Sequence, residues 1–141
     1  MIAELEKLRF FRSLSLQQLD ILSDRASVME YEPGEIILDE HTTEKFVGYA
    51  VKGVGVLSIT TRDGVVHAIE TFANAPVGVV YLDGFNQPGV LAAKTRVKVI
   101  GWSLEDVEDL GEKHPSLALA FHKGLNFYLV QYIRRIVGTL L

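Results

Sequence analysis

The sequence predicts a mainly β fold, an antiparallel barrel or sandwich such as a jelly roll, flanked by helices at both ends of the chain. Three observations predict it. Short runs of strand-forming residues recur from Ser27 to Ser103, punctuated by glycine and proline turns. The segments on either side carry helical spacing and capping residues instead. At 141 residues, 48% of them apolar, the chain has the size of one domain, 1–141, and enough apolar surface for a real core.

The elements follow in order. Ile2 to Arg12 reads as a short amphipathic helix. "SLQQLDIL" opens a second, in which Ser15 caps the helix and Gln18 reaches back three residues, a capping box. Leu16, Leu19 and Leu22 then recur at helical spacing. "SVMEYE", a Pro33-Gly34 turn and "EIILDE" read as strand, turn and strand. "FVGYAVKGVGVLSITT" is rich in strand formers and breaks at Lys52-Gly53. "RDG", Arg62 to Gly64, is a hairpin turn into "VVHAIETFA". "VLAAKT" and "RVKVIGWS" complete the strands. Ser103 caps a helix through "LEDVEDLGEKH", whose acidic first turn suits the helix dipole. Pro115 suits the first position of a last helix, about 115–141, locally weakened at Gly124.

Composition narrows the function classes. Formal charge is -4, with 14 basic against 18 acidic residues, so nucleic-acid binding would need a local basic patch. The nearest candidate is Arg134-Arg135, and no nucleic-acid binding by this chain alone is expected. With no cysteine, disulfides, thiolate metal sites, iron–sulfur clusters and cysteine nucleophiles are excluded. "MIAELEKLRFF" is not a signal peptide, and no run reaches the ~18 apolar residues of a membrane span, so a cytoplasmic protein is the default.

"FFRSLSLQQLDIL", "YEPGEIILDE" and "VKVIGWSLEDVEDLGEKHPSLALAF", in that order and spacing, resemble the cyclic-nucleotide-binding domain of the catabolite-activator type. The resemblance spans nearly the whole chain. It implies an eight-stranded jelly roll with N-terminal helices and a long C-terminal helix. In the DNA-binding members that helix forms a parallel dimer and is followed by a winged helix-turn-helix. Here the chain stops at Leu141, which fits either a stand-alone regulatory module or a fragment of a longer regulator.

The family's phosphate-binding cassette runs roughly Phe-Gly-Glu, several residues, then Arg-Ser-Ala. Its glutamate takes the ribose 2′-hydroxyl and its arginine pairs with the cyclic phosphate. In "VGVVYLDGFNQPGVLAA" Gly78 matches the glycine, but Val79 stands where the glutamate belongs and Gln87-Pro88 where arginine and serine belong. No shift of the alignment rescues it, because Val77 to Ala93 contains neither Glu nor Arg. Proline also removes a backbone donor. Charge-assisted hydrogen bonds are worth roughly 1.5–3 kcal/mol each. Losing two therefore weakens binding by about 100-fold to 10,000-fold.

The expected ligand contacts are Gly78, Val79, Val80, Tyr81, Leu82 and Gln87. Three readings stay open. The apolar side chains fill the barrel, as such runs more often do; they line a pocket, with Val77, for a less charged ligand; or weak cyclic-nucleotide binding persists.

Other chemistry finds little support. His41, His67, His114 and His122 contain no His-x-His pair, and His67 and Glu70 would point to opposite faces of a strand. A cupin-like metal or haem site at His67 is the minor alternative; no metal and no cofactor is expected. There is no G-x-S-x-G, and Gly53 to Gly55 is a strand break, since no helix follows as a dinucleotide fingerprint requires.

The last helix carries two apolar stripes. One is Leu125, Tyr128, Leu129, Tyr132 and Ile136; the other is Phe127, Val130, Ile133, Val137 and Leu141. One can pack on the barrel and the other should meet a partner. A homodimer is expected, with the first stripe assigned to its interface; the competing arrangement folds both stripes back or bends the helix at Gly124. The function expected is a non-enzymatic regulatory or sensor module with altered or lost cAMP binding and a possible small-molecule effector. Its alternatives are a genuine cyclic-nucleotide effector domain of a transcription regulator and a ligand-free interaction module.

Overall fold

In the computed structural model, residues 5, 8–71 and 73–140 are described, with the backbone alone at 9, 10, 139 and 140. Much of the expected first helix therefore lies outside the described residues, as do Phe72 and Leu141. What is described near the N-terminus is a 3-10 turn at Arg9–Ser13, followed by α1 at Leu16–Arg25. The capping box at its start is formed: Ser15 Oγ accepts from the Gln18 N–H at 3.1 Å, and Gln18 Oε1 accepts from the Ser15 N–H at 3.0 Å. Leu19 and Leu22 are buried, but Leu16, at the first helical position, is exposed.

Eight strands follow: β1 Ser27–Tyr31, β2 Ile36–Leu38, β3 Phe46–Lys52, β4 Gly55–Thr60, β5 Val66–Glu70, β6 Ala75–Val77, β7 Val90–Ala93 and β8 Val97–Ser103. They form two four-stranded sheets, β1-β8-β3-β6 and β2-β7-β4-β5, with every pairing antiparallel. The Arg62–Gly64 turn closes the β4–β5 hairpin through Thr61 N–H to Val65 O at 2.8 Å and Gly64 N–H to Thr61 O at 3.0 Å. β6 has no counterpart among the expected strands. It is three residues long, contains Pro76 and lies at a sheet edge, the place where a strand tolerates proline.

The two central strands explain the layering. Along β3 and β8 successive side chains alternate faces, and both faces are covered. Phe46, Ala50, Val97 and Val99 point between the sheets, where they meet Ile37, Leu38, Val77 and Leu91. Val47, Tyr49, Ile100 and Trp102 point the other way, into Phe11, Leu19, Leu22, Leu110, Phe121 and Leu125 of the helical segments. Trp102 is fully buried, and its indole N–H donates to the Leu22 carbonyl at 2.9 Å, tying α1 to the sheet. Edge-to-face contacts join Trp102 to Phe121 and Tyr49 to Tyr128, with ring centroids 5.0 and 5.3 Å apart.

α2, Leu104–Lys113, starts where Ser103 Oγ accepts from the Asp106 N–H at 3.1 Å. α3 runs from Pro115 to Leu140 and continues through Gly124 without a break. Its 26 residues span about 39 Å. No helix among the described residues is long and apolar enough to cross a membrane.

Candidate functional site

The segment between β6 and β7 is built around two glycines. Gly78 has φ +74, and a Cβ there would lie 2.0 Å from the Phe46 carbonyl oxygen. Gly89 has φ +69, and its Cβ would lie 2.3 Å from the Ser58 carbonyl oxygen. Both positions thus need glycine for backbone sign and for space. Between them Val79–Asp83 forms a 3-10 turn, capped at each end by a left-handed glycine, Gly78 and Gly84.

This turn sends its side chains in different directions. Val79 leans on the helix-side core, as does Leu82, whereas Tyr81 and Val80 join the core between the sheets. Tyr81 is buried, with the Lys45 ammonium 5.4 Å from its ring centroid, a cation–π geometry. Burial first, and then the Asp39 carboxylate, push its phenol above the usual range.

A cavity of about 230 Å³ lies beside the turn. Gly78, Val79, Val80 and Gln87 line it, so four of the six expected contact residues come together; Tyr81 and Leu82 are not in its wall. The rest of the wall is Leu57 of β4, Thr71, Pro76, Val77, Pro88, Leu91 of β7, and Leu129 and Tyr132 of α3. Leu57 and Leu91 face each other directly in the β4–β7 register. None of these described lining residues is charged. Thr71 is deeply buried, and its Oγ1 accepts from the Gly55 N–H at 2.8 Å. Burial alone raises the Tyr132 phenol above its usual range.

The polar groups of Asn86 and Gln87 are used within the loop and its neighbour. The Gln87 backbone N–H donates to Asn86 Oδ1 at 2.9 Å, and its side-chain amide donates to the Pro88 carbonyl at 3.2 Å. Asn86 Nδ2 in turn donates to the Glu40 carbonyl at 3.1 Å, pinning the loop to the β2–β3 connection.

The two stripes of α3 have distinct fates. Leu125 and Tyr128, assigned from sequence to a dimer contact, are only 2% and 9% exposed because they pack into the chain's own core. Leu129 and Tyr132 close the cavity, and Ile136 is half-buried. In the other stripe Phe127 packs partly on the helix-side core, whereas Val130, Ile133 and Val137 are each about half exposed. Leu125 and Tyr128, expected at a dimer contact, thus sit inside the chain's own core, with Tyr128 edge-on to Tyr49, and the exposed apolar positions along the C-terminal half of α3 are Val130, Ile133 and Val137.

Among the described residues no group of three His, Asp or Glu side chains converges to hold a metal ion. His67 is exposed on β5 and His41 is exposed beside Glu40, while His122 Nδ1 lies 2.8 Å from the Ala118 carbonyl one turn back.

Sequence reasoning missed Leu57, Thr71, Pro76 and Leu91 as wall residues. Leu57 and Leu91 were visible as apolar strand positions, but only the register of β4 against β7 sets them opposite each other.

No protein-family model matches the chain, and no curated protein matches it. Solved structures do. A cyclic nucleotide-binding domain from Methylobacillus flagellatus superposes with a TM-score of 0.81 at 15% identity, covering 99% of this chain and 84% of that one. The catabolite activator protein of Thermus thermophilus matches with a TM-score of 0.69 at 17% identity, over 93% of this chain and 61% of its own. The regulatory subunit of a cAMP-independent protein kinase A from Trypanosoma brucei matches with a TM-score of 0.62 at 19% identity, over 92% of this chain and 49% of that chain. That trypanosome protein is a triple mutant, one change placing arginine for threonine, bound to cAMP in its A site. The chain has the fold of a cyclic-nucleotide-binding domain. The eight-stranded jelly roll with flanking helices expected from sequence is the one found, and the cavity lies beside the Gly78 turn.

Proposed function

We propose that this chain is a non-enzymatic regulatory module, one domain over 1–141, whose cyclic-nucleotide-binding fold no longer grips a cyclic phosphate. The observation that carries the reading is the uncharged wall of the cavity beside Gly78, in which Gln87 turns its amide back to Pro88. A phosphate ester seated there would lose hydration without gaining a cation, a cost that binding cannot recover. The trypanosome regulatory subunit, which belongs to a cAMP-independent protein kinase A, is a precedent for a regulator of this fold in a system without cAMP control.

The output is carried by α3. Leu129 and Tyr132 touch the cavity, while Val130, Ile133 and Val137, three and four residues apart, form an open stripe suited to a second copy of the helix. A change in the cavity would reach a partner by moving this helix, provided one arrangement is preferred when the cavity is filled.

Isothermal calorimetry with cAMP and cGMP tests the reading. The expected dissociation constants are in the millimolar range or weaker; binding tighter than ~10 μM would replace it with that of a genuine cyclic-nucleotide effector domain.

A further inference from the structure

The cavity itself specifies a class of ligand. We infer that the space between Leu57, Thr71, Val79, Leu91, Leu129 and Tyr132 binds a small, neutral, mostly apolar molecule carrying one hydrogen-bonding group, held by the Thr71 hydroxyl. This inference rests on the reading that the site has lost its grip on phosphate, and it names what takes the place of the nucleotide.

Three features lead to it. The first is charge: an anion or cation in this wall would be desolvated with no partner among the described lining residues. The second is size. An apolar cavity of ~150 Å³ accepts benzene; one of about 230 Å³ suits a substituted or fused ring. At protein packing density that is about ten to twelve non-hydrogen atoms, roughly half of a cyclic nucleotide.

The third is the single deeply buried polar group in the wall. Thr71 is 7% exposed, and its oxygen already accepts from the Gly55 N–H. A threonine hydroxyl can both accept and donate. Its hydrogen is thus left to donate to a carbonyl, hydroxyl or ring acceptor in the cavity. Gln87 contributes little, because its amide is committed to the Pro88 carbonyl. Leu129 and Tyr132 complete the wall from α3, so an occupant touches the helix that carries the open stripe.

The test is a calorimetric and NMR titration of the intact chain with p-cresol, toluene, the matched anion p-toluate, and cAMP. The expected result is saturable binding of p-cresol with a dissociation constant on the order of 100 μM. p-Toluate should bind at least about tenfold more weakly, the factor for one lost charge-compensating contact. Thr71→Val should weaken p-cresol by about tenfold while leaving toluene unchanged, and Thr71→Ser should restore p-cresol. Leu57→Phe, which fills the space from β4, should abolish binding of both neutral probes in a protein that keeps its melting temperature within a few degrees. Failure of every neutral probe to bind the folded wild type would overturn the inference while leaving the loss of phosphate recognition intact. Preference for p-toluate over p-cresol would also overturn it. Micromolar cAMP binding would overturn both.

Discussion

The aromatic cluster under the helices and the cavity beside the Gly78 turn lie in one small fold, yet they are built to opposite rules. In the cluster, Phe11, Tyr49, Trp102 and Phe121 are each fully buried and meet edge to face. Around the cavity the wall is mostly aliphatic, with Tyr132 its one aromatic side chain among the described lining residues, and about 230 Å³ stays unfilled. Filled space costs much to disturb, because every atom removed leaves a void its neighbours cannot close. Unfilled space can change its lining or its occupant with little effect on stability. The difference teaches where this protein keeps its fold and where it leaves room for an occupant.

The contrast breaks most strongly at Trp102. Trp102→Ala should lower stability by about 3–5 kcal/mol, through the lost packing and the orphaned Leu22 carbonyl. Urea unfolding at fixed protein concentration measures it. A loss below about 1 kcal/mol would mean that the cluster is not the anchor of the fold.

The next effect separates the two faces of α3. Leu125→Ala should cost about 2–4 kcal/mol, since its side chain is 2% exposed, whereas Ile133→Ala, half exposed, should change monomer stability by less than about 0.5 kcal/mol. Ile133→Glu should instead shift a dimer toward monomer in sedimentation equilibrium, with the melting temperature extrapolated to low concentration unchanged. If Leu125 and Ile133 prove equally costly, the packed and open faces are wrongly assigned.

Much of this division was legible in the sequence, and the reason lies in how local each signal is. The Ser15–Gln18 box, the Arg62–Gly64 turn and Pro115 are decided by neighbours within four residues, and all three took their expected form. β6 was not legible, because three residues containing a proline carry no alternation to detect. The glycines of the β6–β7 segment and its lack of Glu and Arg could be read directly, but the wall of the cavity could not. Thr71 becomes a site residue only when β4 brings Gly55 against it, and Leu129 and Tyr132 only when α3 settles in one rotation. Both stripes of α3 are apolar, so the sequence leaves that rotation undecided. Edge contact between Tyr128 and the buried Tyr49 decides it.

A smaller effect concerns the cluster's own imperfection. The Tyr49 hydroxyl is buried and has no hydrogen-bond partner among the described residues. Burial, and then the neighbouring Tyr128, hold its phenol protonated well above the usual range. The folded-state value thus exceeds the unfolded one. Its contribution to stability is complete below about pH 10 and is lost as pH rises further, because the unfolded chain releases the proton first. Tyr49→Phe should be neutral or stabilising by up to about 1 kcal/mol at pH 7 and should flatten the alkaline limb of stability against pH. Destabilisation by more than about 1 kcal/mol would reveal a partner for the hydroxyl and would narrow the contrast between cluster and cavity.

The most direct measurement is an NMR titration of the wild-type chain with cAMP, following the backbone amides of Gly78, Val80, Gln87 and Leu91. A cavity without charge recognition predicts no saturating shift at these positions up to about 1 mM nucleotide. Saturating shifts there with a dissociation constant below about 10 μM would show that the loop still grips a phosphate, and would contradict the reading at its root.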